Sequence, residues 1–338
     1  MQMSNYILRR LLLLIPTLLG ILLLIFVIAY VIPADPARAW AGPKARPEQV
    51  ELLRQRYHLN DPLYLQVYHY LKNLLHGDLG ISATTKRPVL DDLKHFFPAT
   101  VELTIVAFTL SILMGVPLGI LSAVKRNSLV DHISRVLALL GVSTPLFWLG
   151  LLVQFIFYFK LGWLPAGGRC EVDLQRITGF VILDSLLTHN MPALVDALKR
   201  LVLPSFTLAF YSMGYLLRIT RGSMLEALQS EYVVTARAKG LPQRVVIYRH
   251  ALKNALIPPL TVMGIRLGWL LAGTVLLETI FAWPGMGRYA AGSIVQVDLP
   301  AVVGYTLISA LVMVFSNFFV DILYSLIDPR IRLGEKAR

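Results

Sequence analysis

Four ionisable side chains, Glu102, Arg266, Glu278 and Asp321, fall within or at the ends of long apolar runs. A charge inside a bilayer costs several kcal/mol unless it is paired or faces water, so each marks either a strut or a pathway. Arg266 lies about 12 Å inside its run and Asp321 about 9 Å inside its own, at 1.5 Å per residue and counted from the same side. Similar depth lets the two pair, within this chain or across to a partner subunit, or leaves Arg266 to line a path. Glu102 and Glu278 lie near the opposite ends, where a carboxylate can snorkel to water or attract a cationic solute group. Groups for bond-making chemistry are missing: there is no Gly-Lys dipeptide, no His-Glu-x-x-His and no Gly-x-Ser-x-Gly. Any ATP hydrolysis is expected on another chain, and no cofactor on this one. His69 and His76, seven apart, read as residues of a wet surface helix rather than metal ligands. Cys170 is the single cysteine, which excludes an intrachain disulfide.

The runs that hold these charges define the fold class. With 56% hydrophobic and 15% charged residues over 338 positions, the chain is too apolar for an ordinary soluble domain. Six runs are long enough to cross a bilayer: Leu11–Ile32, Val101–Val124, Val136–Tyr158, Leu201–Leu217, Pro258–Ile280 and Val302–Ile327. None alternates, so they are predicted to be helices in an all-α integral membrane protein. The first follows Arg9-Arg10 but is longer than a signal peptide's apolar core, which favours a retained span with its amino end inside. On that topology the inner segments hold 16 Lys and Arg against 5 acidic residues, and the outer ones 15 against 12. The net charge of +12 then reports topology, not nucleic acid, and places both termini in the cytoplasm.

Small residues and prolines suggest how the spans meet. Gly115-Val-Pro-Leu-Gly119 and Gly264-Ile-Arg-Leu-Gly268 share the spacing that permits close helix packing. Pro117, Pro145 and Pro204 lie within spans, where opened backbone is tolerated beside a neighbour or a water-filled path. Outside, Pro47–Leu75 reads as two surface helices, with Pro47 at a first helical position and Asn60-Asp61-Pro62 as a stop and new start. The later run FVILDSLL is too short to span.

The inner segment Arg218–Ile257 carries the most specific signal. Ser230 can cap a short helix that Gly240 ends and Leu241-Pro242 follows. Tyr232, Val233 and Ala236 can share its apolar face, with Arg237 and Lys239 elsewhere. Such a helix either lies among anionic lipid headgroups or docks into a groove on a cytoplasmic partner.

In this segment Thr235-Ala236, Gly240, Ile247, Leu252 and Lys253 resemble the EAA loop of permease subunits of binding-protein-dependent ABC importers. TARAKG followed by HALKNALIP is similar to the dipeptide, oligopeptide, glutathione and nickel permeases of the first permease type. ILRRLLLLIPT, IPADPAR, HGDLGIS, ETIFAWPGMGR and IDPRIR extend the likeness over most of the chain. Val234 departs from the pattern, which usually has Glu, Gln or Arg there; Glu231 or Arg237 would have to supply a polar contact.

The resemblance implies a type I ABC importer permease fold in a bacterial or archaeal cytoplasmic membrane. Residues 1–100 would be the first span and an extracytoplasmic loop, 101–330 the core with its coupling loop 218–257, and 331–338 a tail. It also implies a homologous second permease, two ATPase subunits carrying ATP and Mg2+, and an extracytoplasmic binding protein. Glu231 to Leu252 would form the ATPase-coupling segment, and the solute would be a peptide, glutathione, a nickel chelate or a sugar. A membrane-embedded enzyme would need convergent polar groups near an interface, which the sequence does not offer; a structural or sensory membrane component is the third class.

Overall fold

The computed structural model describes residues 3–42 and 45–327, with the backbone alone for residues 3–7, 9, 321 and 323–327. Within them the chain is helical, and its one β contact is an isolated bridge between Ile81 and Pro88. Helix α1 (Met3–Phe26) continues through a π-helical turn to Val31, with Leu12, Leu13, Leu19 and Leu24 exposed as lipid contact requires. The segment expected outside, called outer by that expectation as the opposite side is called inner, then forms α2 (Pro36–Ala41), α3 (Pro47–Arg56) and α4 (Leu63–Leu75). Pro47 opens α3 and Pro62 precedes α4, as the sequence predicts. Phe26, Tyr30, Trp40, Tyr57 and Tyr70 bury their rings together, neighbouring centroids 4.8–5.5 Å apart, and fasten these helices to the outer end of α1.

Helix α5 (Val89–Val124) is longer than its apolar run because it begins twelve residues before Val101. It leads through α6 (Leu129–Ser143), α7 (Leu146–Gln154) and the short outer α8 (Val181–Leu187) to α9 (Met191–Gln229). α5 and α9 hold 36 and 39 residues, about 54 and 58 Å at 1.5 Å per residue, so both extend beyond a hydrocarbon core of about 30 Å. They touch where the first G-x-x-x-G predicts: a Cβ on Gly115 would lie 2.9 Å from Leu216 Cβ, and one on Gly119 2.6 Å from Thr220 Cβ. α6 crosses α9 at a second glycine contact, Gly141 against Gly214, where added Cβ atoms would meet Phe210 O and Ala138 O at 2.8 Å.

Two expected spans are broken. The run Val136–Tyr158 turns by 106° between α6 and α7, because Pro145 has no N–H to continue α6 and instead precedes a new helix. After α9, the inner loop forms α10 (Glu231–Ala238), α11 (Gln243–Val245) and α12 (Leu252–Ala255). The run Pro258–Ile280 then divides into α13 (Ile257–Leu271) and α14 (Val275–Ile280), separated at Gly273, whose φ of +100° a helix cannot contain. α15 (Met286–Val295) and α16 (Leu299–Ile327) complete the described chain.

Among the described residues three helical segments are long and apolar enough to cross a membrane: Arg10–Val31, Val89–Val124 and Leu299–Val320. The bent pairs α6–α7 and Gln243–Ala255 with α13 bring the number to five. The remaining expected run, Leu201–Leu217, is the middle of α9. The tail 331–338 and the IDPRIR stretch beyond Ile327 lie outside the described residues.

Candidate functional site

The inner loop is built on the end of α9. Ser230 has extended backbone, and its hydroxyl donates to Ala227 O at 2.5 Å. It therefore closes α9 and gives α10 no side-chain cap, contrary to the sequence expectation. Val233 and Ala236 of α10 are buried against Ile120, Met224, Val246, Ile247 and Ala251, while Tyr232 is 40% exposed. The predicted apolar face is thus split, with two members forming the base and the third facing out.

Gly240 adopts φ +74°; its N–H donates to Arg237 O at 2.9 Å, and that of Leu241 to Ala236 O at 3.4 Å. This is a Schellman stop, which satisfies carbonyls the helix end leaves free. An added Cβ at Gly240 would meet nothing within 4 Å, so glycine is required there for its conformation and not for space. The chain then winds through a π-helical turn, Val246–Ala251, that buries Ile247 and leaves Leu252 half-buried and Lys253 exposed. Glu231, Tyr232, Val234, Thr235, Arg237 and Lys239 all face outward. Val234 is 55% exposed, so the unusual residue belongs to the presented surface.

A buried ion pair, unforeseen from sequence, lies under this platform. Asp131 on α6 is fully buried and takes Arg221 of α9 in two bonds, Nε at 2.7 Å and Nη2 at 3.0 Å. Ser122 Oγ and Asn127 N donate to the same carboxylate at 2.6 and 3.0 Å. The available signal is Asp131 three residues after the capping Ser128, but the partner lies ninety positions away.

The charges in the spans separate into two kinds. Glu102 is 7% exposed and does not snorkel: Arg169 Nε and Nη2 donate to Oε2 at 2.8 and 2.6 Å, and Ile182 N to Oε1 at 2.9 Å. Glu278 is 1% exposed and accepts from Thr100 Oγ1, Thr274 N and Arg288 N at 3.3, 3.3 and 3.0 Å. Both brace the outer loops against α5, and burial closes them to a passing cation. Arg266 is different. Its guanidinium lies 3.7 Å from the ring centroid of Tyr215, 5.5 Å from that of Tyr211 and 6.0 Å from that of Trp269. The side chain of Asp321 lies outside the described residues.

In the outer loop, burial pushes the Asp184 carboxyl up, but donation from the Thr178 hydroxyl and amide at 2.6 and 2.8 Å and from Gly179 N at 3.1 Å outweighs it, leaving a depressed pKa. His69 groups with His58 and Asp61, not with His76. The two imidazoles stack 12° from parallel at 4.0 Å, which sends their in-plane lone pairs along parallel planes and not toward one point.

Long apolar helices joined by a platform whose small helix is anchored on one side and presented on the other define a membrane-embedded helical protein with a surface for a partner. The chain belongs to the family of binding-protein-dependent transport system inner membrane components, whose pattern matches residues 115–333, with the N-terminal part of such components matching residues 3–104. It is therefore a transport permease by family, not an enzyme. It is 49% identical over 318 residues to the probable D,D-dipeptide transport system permease protein DdpB of Escherichia coli (strain K12), covering 93% of this chain and 94% of the relative. Over 332 residues it is 46% identical to the dipeptide transport system permease protein DppB of Alkalihalophilus pseudofirmus, covering 98% and 100%. The glutathione transport system permease protein GsiC of Escherichia coli O6:H1 is 38% identical over 330 residues, covering 98% and 99%.

Proposed function

We propose that this chain forms half of the translocation pathway of an ATP-driven importer of dipeptides or closely similar small peptides. The observation that carries the reading is α10, held by buried Val233 and Ala236 and presenting Tyr232, Val234, Arg237 and Lys239. The presented face mixes apolar and basic side chains, which suits a cleft on a protein better than headgroups alone. Val234 then supplies an apolar contact where relatives in the resemblance offer a polar one. Two ATPase subunits carry ATP and Mg2+, a homologous second permease completes the path, and an extracytoplasmic protein delivers the peptide. Closure of the ATPases shifts α10, and α9 and α13 carry the movement into the spans.

The topology in this reading has six spans in the type I importer arrangement, both termini inside a bacterial or archaeal cytoplasmic membrane, and the division 1–100, 101–330 and 331–338. The two more similar of the relatives above are dipeptide permeases, which favours dipeptides over glutathione, nickel chelates or sugars. The test is co-purification with an ATPase subunit, followed by coupled uptake. Gly240→Val strains the left-handed turn and is expected to leave insertion intact while lowering peptide uptake per ATP at least tenfold; Gly240→Asn, which tolerates that φ, retains most of it. Wild-type coupling in Gly240→Val counts against α10 as the coupling helix.

A further inference from the structure

Gly264 and Gly268 of α13 pack against α16, a Cβ on Gly268 lying 3.2 Å from Ser316 Cβ. Arg266, two residues from each, projects from the other side of α13 toward α9. There it meets Tyr211, Tyr215 and Trp269, and Arg218 approaches the same Tyr215 ring at 5.7 Å. Two cations thus share one ring, and among the described side chains, which do not include that of Asp321, neither has a carboxylate within ion-pair distance. Ring faces offset part of the cost of these charges, and the hydroxyls of Tyr211 and Tyr215 accept hydrogen bonds from Arg266, which leaves the rest of its five-donor fork for a further acceptor. Trp269 is 39% exposed and neighbouring Ile265 51%, so this chain does not cover the cluster.

We propose that Arg266, with the rings of Tyr211, Tyr215 and Trp269, receives the α-carboxylate of a peptide in transit. This rests on the importer reading above. A guanidinium edge matches a carboxylate in two parallel bonds, and every linear peptide carries that carboxylate whatever its side chains. The rings provide apolar, sequence-tolerant contact for the side chains. The cluster sits about 13 Å along α13 from its inner end at 1.5 Å per residue, too deep for a headgroup phosphate to reach without deforming the bilayer. Arg218, nearer the inner end of α9, offers the next positive position toward the cytoplasm.

The experiment uses the assembled complex of both permeases and ATPases in proteoliposomes, with the binding protein and radiolabelled alanyl-alanine as probe. Arg266→Gln is expected to keep stimulation of ATPase activity by loaded binding protein within twofold, and to lower uptake by about tenfold or more, the worth of one charge-assisted pair. Arg266→Lys keeps the charge without the fork and is expected to fall between. Uptake unchanged in Arg266→Gln overturns the proposal; so does parallel loss of uptake and ATPase stimulation in an intact complex, which marks a structural or coupling role. Dissociation of the second permease in the variant also overturns it, in favour of an intersubunit ion pair. Ile265→Cys in a Cys170→Ser background gives a second measure: the peptide must slow its alkylation during turnover, and unchanged alkylation refutes the assignment. Failure of the wild-type complex to import alanyl-alanine would instead refute the importer reading.

Discussion

Val234 and Glu102 show how far a single side chain can be understood before its surroundings are known. Val234 is legible as a departure from a pattern, but only the burial of Val233 and Ala236 settles that it faces out. Glu102 looks like a carboxylate near water, yet Arg169, sixty-seven positions away, draws it into a pair with side chains 6% and 7% exposed. Sequence spacing carries no information on such a partner, since the loop between them folds back only in three dimensions. Removing one member leaves the other charge buried and uncompensated. Glu102→Ala is therefore expected to destabilise the protein by about 3 to 5 kcal/mol, read as a lowered unfolding temperature in nanodiscs. The double variant Glu102→Met/Arg169→Met should recover much of that loss. Equal destabilisation by the double and single variants would show that the pair itself is not the cause.

At the scale of elements, apolar length and glycine spacing locate helices well and their ends poorly. α5 and α9 outrun their apolar runs because their continuing turns satisfy backbone groups and pack on loops outside the lipid, where hydropathy gives no signal. Pro145 is legible as a perturbation, but nothing in the sequence distinguishes its 106° break from the uninterrupted passage of α9 through Pro204. The Gly115–Gly119 contact is foreseen; Gly141 against Gly214 is not, because neither glycine has a second one four residues away to make the packing motif. Gly214→Leu would thrust a side chain into the backbone of α6. It is expected to cost several kcal/mol by overpacking and to lower the yield of folded protein, whereas Gly222→Ala, which meets nothing within 4 Å, should be neutral. Equal yields of the two in size-exclusion chromatography would show that the α6–α9 approach is loose.

For the molecule as a whole, the importer reading makes Pro47–Leu75 a docking surface for the binding protein, and the structure sharpens the test of that. Deleting Pro47–Leu75 would remove Tyr57 and Tyr70 from the aromatic cluster and so damage the fold itself. Tyr64 and Tyr68 are 72% and 59% exposed on α4 and can be changed without touching that cluster. Tyr64→Ser/Tyr68→Ser is expected to weaken stimulation of ATPase activity by the loaded binding protein several-fold, with basal activity unchanged; full stimulation would place the docking surface elsewhere. The contact of Gly141 with Gly214 has a mechanical meaning as well. It lies about 34 Å from the outer end of α9 and about 22 Å from the inner end, at 1.5 Å per residue. A stiff rod tilting about that crossing moves its ends in opposite directions, the longer arm farther. In the importer reading, a push at the cytoplasmic end would thereby be reversed and enlarged at the other, giving one rigid helix the geometry of a see-saw across the membrane.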